Sequence, residues 1–138
     1  MAEVADAGYN KTLGIQRGSD GQLELSGRGE VSNLFGYIHP CAIISLAEAA
    51  SGQYLIDNLG VDIDSMSPVI RTMSVKVGKP AKERARAVCT VDEAQSNEFR
   101  DNLVNKGRSR LAMEVKVINE ENKESMVASF DWMVMKVK

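Results

Sequence analysis

Glu48 is the side chain that most needs a chemical explanation. It stands in the run Pro40-Cys41-Ala42-Ile43-Ile44-Ser45-Leu46-Ala47-Glu48-Ala49-Ala50. At helical spacings of four, three and seven its neighbours are Ile44, Ser51 and Leu55. A carboxylate in that company is costly to bury unless it is paired or neutralised. One reading has it reach a surface edge or pair with a cation such as Arg71. The other makes it a functional carboxylate in a low-dielectric pocket, a base or a nucleophile. The start of the same helix is the second feature. Its free N–H groups and positive dipole end suit an oxyanion growing on a carbonyl. Pro40 and Glu48 lie about 12 Å apart along the axis, long for one reacting atom. A second copy of the chain would bring the two features together, which favours a dimeric site.

His39 is the only histidine. A Ser-His-Asp triad would have to use it, and a multi-histidine metal site is excluded, so no metal is expected. Its imidazole can equally satisfy loop carbonyls or cap the helix. Asn33 can serve as an Asx-turn residue. Ser51 has no histidine near it in sequence, which argues against a serine nucleophile. Cys41 and Cys89, the only cysteines, fit neither a zinc spacing nor a disulfide scaffold.

The rest of the chain must position these groups. Its 138 residues suit one domain spanning 1–138 with one core. Net charge is -2, which argues against nucleic acid as a partner. Basic residues cluster at Lys79, Lys82, Arg84 and Arg86 and again at Lys106, Arg108 and Arg110. They read as solvated strand edges or as contacts to a small phosphorylated ligand. Residues 1–10 are acidic, a loose lead-in or short helix and not a secretory signal. No run of about 18 apolar residues offers a membrane span. A cytoplasmic location is expected.

Thr12–Arg17 and Gln22–Arg28 flank Asp20-Gly21, a hairpin signal. Asn33–His39 reads as a packed, aromatic-rich loop. Pro40–Leu59 is the clearest helix, with proline at its first position and Gly60 as its stop. It is apolar nearly all round, hence buried. Val69, Arg71, Met73, Val75 and Val77 alternate with Ile70, Thr72, Ser74 and Lys76 as on a strand. Arg84–Val91, Arg110–Asn119 and Ser125–Lys138 are further strands, and Asn97–Val104 is a short helix. Strands on both sides of one apolar helix imply an α+β fold with a mainly antiparallel sheet wrapped around it.

Asn33-x-x-Gly36-x-x-His39, then Leu46-Ala47-Glu48, with the acid nine residues after the histidine, resembles the signature of the PaaI-like hotdog-fold acyl-CoA thioesterases. Gly78-Lys79-Pro80-Ala81 is similar to that family's strand end. The segment Asn97–Gly107 looks like the added helix of a divergent branch. The resemblance implies a hotdog fold, a curved antiparallel sheet around one long central helix, in homodimers or dimers of dimers with active sites between subunits. It implies hydrolysis of an acyl-CoA or acyl-carrier-protein thioester, with coenzyme A only as part of the substrate and no other cofactor. Glu48 would activate water or attack the thioester carbonyl. Asn33 would position water or the carbonyl, and His39, with Gly36 in its turn, would support the oxyanion site. Basic residues near the mouth, with Lys79, Lys82 and Arg108 as candidates, would meet the CoA phosphates.

The family's two glycines after the histidine are here Pro40 and Cys41. Proline has no N–H, so Cys41 or Ala42 would have to donate to the oxyanion. Ser51 and Thr72 join the substrate-binding candidates, Thr72 standing near the place where the family has Ser or Thr. Two other functions remain open. One is a hotdog module that binds an acyl thioester or lipid without turnover, for which Pro40 speaks. The other is a dehydratase or hydratase, for which the D-x-N-P-x-H signature is absent.

Overall fold

The computed structural model describes residues 2–137; Met1 and Lys138, the ends of the expected domain, lie outside the described residues. In chain order the elements are α1 (Gly8–Leu13), β1 (Gln16–Arg17), β2 (Leu23–Ser26), α2 (Pro40–Asn58), β3 (Met66–Val77), β4 (Arg84–Cys89), α3 (Glu93–Lys106), β5 (Arg108–Asn119) and β6 (Glu124–Lys136). All six strands form one antiparallel sheet in the order β1-β2-β4-β5-β6-β3.

Strict alternation builds the sheet's inner face. Leu111, Met113, Val115 and Val117 of β5 are buried, as are Met126, Ala128, Phe130, Trp132 and Val134 of β6. They pack against Ala42, Ile43, Leu46, Ala47 and Ala50 of α2, so the sheet curls around this helix. α2 ends where Leu59 N–H returns to the Leu55 carbonyl and Gly60 takes φ +75°. α3 is capped by Asp92 and stopped by Gly107, and buries Phe99 and Leu103, four residues apart.

Three parts sharpen or change the sequence expectation. The lead-in takes the short-helix form, running into α1, and is docked on the domain. Val4 N–H donates to Gln53 Oε1 at 2.9 Å, Asn10 Nδ2 to the Val4 carbonyl at 2.8 Å, and Arg17 grips both Glu3 and Asp57. Polar groups far apart in sequence hold it, and no periodicity reports them. The first arm of the expected hairpin is only partly strand: Thr12 and Leu13 end α1, and only Gln16 and Arg17 pair with β2. The Asn33–His39 loop is packed only at Ile38, while Leu34 is 100% and Phe35 83% exposed.

β3 also breaks its expected alternation. Ile70 faces Trp132 and Thr72 faces Asp131, so Arg71 is an extra residue in a bulge. Beyond it Met73, Val75 and Val77 pair with Phe130, Ala128 and Met126 and join Ile70 on the inner face. They remain exposed, Met73 at 53% and Val77 at 59%. β3 is thus a twelve-residue free edge with an uncovered apolar inner side.

Candidate active site

His39 is the N-cap of α2, and its Nδ1 accepts the Cys41 N–H at 3.0 Å. Pro40 fills the first helical position and has no N–H to offer. The Ala42 and Ile43 N–H groups both donate to the His39 carbonyl, at 2.9 and 3.2 Å. The two donors expected to meet an oxyanion, Cys41 and Ala42, are therefore already engaged inside the chain.

The loop before them is a tight turn. Asn33 Oδ1 accepts from the N–H groups of Phe35 and Tyr37, and Asn33 N–H donates to the Tyr37 carbonyl. Gly36 takes φ +81°, a conformation side chains disfavour. Asn33 is thus an Asx-turn residue here, and it spends its carbonyl oxygen on the turn. The turn holds Leu34 and Phe35 at its tip in solvent.

Glu48 is half-buried on α2. Burial raises its carboxyl above the ordinary carboxylate range, and no cation or donor counters that. Arg71, the partner considered from sequence, sits instead in the β3 bulge. Ser51, one turn further on, is fully buried and fully used. It donates to the Glu48 carbonyl at 2.7 Å and accepts from Trp132 Nε1 at 2.9 Å. This turns the Ser51 side of α2 towards β6, with Glu48 one turn earlier on the same side of the helix. Ser51, named from sequence as a substrate-binding candidate, here uses its hydroxyl to lock the helix to the sheet. Sequence reasoning missed Trp132 as that lock. The signal was present, since it is the chain's only tryptophan and falls on the core side of the last strand.

Thr72 pairs with Asp131 and lies on the outer face, away from α2. The bulge put it there, and Ile70 takes the inner position. Lys79 and Lys82 border one surface groove with Tyr37 and Lys123. The backbone beside Lys82 is already occupied by an anion of the chain's own: Glu120 Oε1 accepts from the N–H groups of Lys82, Glu83 and Arg84. Arg108 belongs to the other end of the sheet. It pairs with Met135, whereas Lys79 N–H bonds Glu124. That separation is about 36 Å along β6, so within one chain the three cations do not form one phosphate site. Burial pushes the Cys89 thiol up to about 12, which disfavours the thiolate.

A family model described as a domain of unknown function, DUF4442, matches residues 12–134. The chain belongs to this family. No curated protein matches the sequence. The DUF4442 chain does resemble solved structures. One is PA5026 of Pseudomonas aeruginosa, described as a "probable thioesterase", at TM-score 0.82 and 16% identity over 96% of this chain and 91% of that one. Another is thioesterase HI1161 of Haemophilus influenzae, at TM-score 0.68 and 16% identity over 97% and 87%. A third is BH2602 of Bacillus halodurans, solved with CoA, at TM-score 0.65 and 21% identity over 89% and 72%. These likenesses carry the fold: the DUF4442 chain is a hotdog. Among its described residues no helix is long and apolar enough to cross a membrane.

Proposed function

We propose that the chain hydrolyses an acyl-CoA or acyl-carrier-protein thioester as a homodimer, without a metal. The observation that carries this is Glu48: a half-buried carboxylate held basic by burial alone, on the central helix of a sheet whose β3 edge is apolar and uncovered. The CoA bound to BH2602 supports a CoA thioester as substrate. A cytoplasmic location is consistent with such a substrate.

Glu48 takes a proton from water. The hydroxide formed attacks the thioester carbonyl carbon, whose π pair moves onto oxygen. When that pair returns, the C–S bond breaks, and the thiolate takes back the proton held by Glu48. Direct attack by Glu48, through an anhydride that water then opens, gives the same products. In either case α2 of one chain carries the acid at a distance from its own helix start. Pairing of two β3 edges supplies the second half: the partner's loop and its His39.

Release of free thiol from a panel of acyl-CoAs and acyl-carrier proteins tests this, with Glu48→Gln beside the wild type. The expected result is turnover in the wild type and a loss of about a thousandfold or more in the variant, as for removal of a general base or nucleophile. Equal rates in both would refute it. Binding of an acyl-CoA with no release in the wild type would favour the second reading, a non-catalytic acyl-thioester module. The engaged N–H groups at the start of α2 are the observation on its side.

A further inference from the structure

We propose that the oxyanion donor is the His39 side chain, through Nε2–H, in place of the helix N-terminus. This rests on the thioesterase reading above and names the group that reading lacks. A helix start ordinarily offers free N–H groups. Here Pro40 has none, Cys41 donates to His39 Nδ1, and Ala42 and Ile43 donate to the His39 carbonyl. Every backbone donor that could face a substrate at the first turn is spoken for, and His39 accepts all three.

The bond that engages Cys41 also fixes the imidazole. A nitrogen that accepts an N–H carries no proton of its own, so the neutral ring bears its single proton on Nε2. No hydrogen bond among the described residues uses that N–H, and the side chain is exposed. Its backbone is anchored on both sides: His39 N–H bonds the Val31 carbonyl at 2.7 Å, and Ile38 N–H bonds the Ala81 carbonyl at 2.8 Å. The donor is thus oriented before substrate arrives, which is what oxyanion stabilisation requires.

The step needs no proton from His39. As hydroxide adds to the carbonyl carbon, the π pair becomes an oxyanion lone pair and the Nε2–H···O bond shortens. When the C–S bond breaks the pair returns, and the imidazole keeps its proton throughout. A neutral imidazole acting as an electrophile in this way is chemically sound. Across two subunits it would meet the Glu48 of the other chain, removing the distance problem that one helix poses.

Capping and donation can be separated by substitution. Ser and Asp both cap helices well and lack the distal N–H. Gln restores an N–H at the distal position and caps poorly. The expected result is that His39→Ser and His39→Asp keep the wild-type unfolding midpoint and lose about a hundredfold in kcat, with KM within about twofold. His39→Gln should keep more of kcat than either and unfold earlier. Wild-type kcat in both capping variants would overturn the proposal while leaving the thioesterase reading intact. A wild type that releases no thiol would overturn both. A readout independent of turnover is the imidazole 15N spectrum of the wild type, unambiguous because the chain has one histidine. A proton on Nε2 supports the assignment; a proton on Nδ1 overturns it.

Discussion

Trp132 donates its indole N–H to Ser51 Oγ at 2.9 Å, and this single buried bond ties the central helix to the sheet. Ser51 in turn donates a hydrogen bond to the Glu48 backbone carbonyl. The orientation of the acid is therefore set from below, by β6. Ser51→Ala leaves a buried indole N–H unpaired and should cost about 1–3 kcal/mol, read as a lower midpoint in denaturant. Because it also frees α2 to rotate, kcat should fall with it.

Glu48 gives a pH signature with a definite sign. Its folded carboxyl is raised above its unfolded value by burial. Between those two values the folded state binds more protons than the unfolded one, so the Glu48 contribution to stability falls as pH rises through that interval. It is most favourable below the unfolded value and is lost above the folded one. Glu48→Gln should therefore raise the thermal midpoint at pH 7 and leave it little changed near pH 4. Turnover by the wild type should rise with pH through an inflection above the usual carboxylate range. A stability loss in Glu48→Gln at pH 7 would contradict the assignment.

If Glu48 and His39 of one site come from different chains, two dead variants should rescue each other. Mixing Glu48→Gln with His39→Ser after dissociation makes about half of the dimers mixed, each with one intact site. About a quarter of wild-type activity should return. No recovery in a mixture shown to exchange subunits would place both residues in one chain.

The uncovered inner side of β3 yields a prediction about assembly. Met73→Lys and Val75→Lys place charges on the exposed apolar strip and at the free edge. The expected outcome is a folded monomer by light scattering, with a wild-type far-ultraviolet spectrum and no turnover. An unaltered mass would show that the strip is not where the copies meet.

Pro40→Gly adds an N–H beside a donor already in place. The rate should rise, by up to about a hundredfold if the new group reaches the oxyanion, while the helix start loses about 0.5–1 kcal/mol. Steady-state kinetics and a denaturant midpoint measure the two effects separately.

Much of this was legible in the residues. Pro40 and Gly60 bracket α2 because each has one backbone reason to be there. The alternation from Leu111 to Val117 announces β5, since a half-buried strand permits little else. Phe99 and Leu103, four apart before Gly107, announce α3. Other features were closed to pattern reading. The Arg71 bulge is a property of the ladder between two strands, and either strand alone looks regular. The docking of residues 2–10 depends on Gln53, Asn10 and Arg17, polar residues that sequence reading assigns to the surface. Capping by His39 was legible as one of its possible roles; that the cap takes up the Cys41 N–H expected to meet the oxyanion was not. The burial of Ser51 and the outward facing of Thr72 were closed to pattern reading for the same reason: residue type does not report burial or facing.

The two ends of the sheet are unequal, twelve residues of β3 against two of β1. An open ladder at both ends could accept copy after copy and run on into a fibre. This one has only a single long template. Once a partner lies along β3, what remains exposed at either end is a two-residue stub, too short to seed another strand. Growth by edge pairing along β3 would therefore stop at one partner.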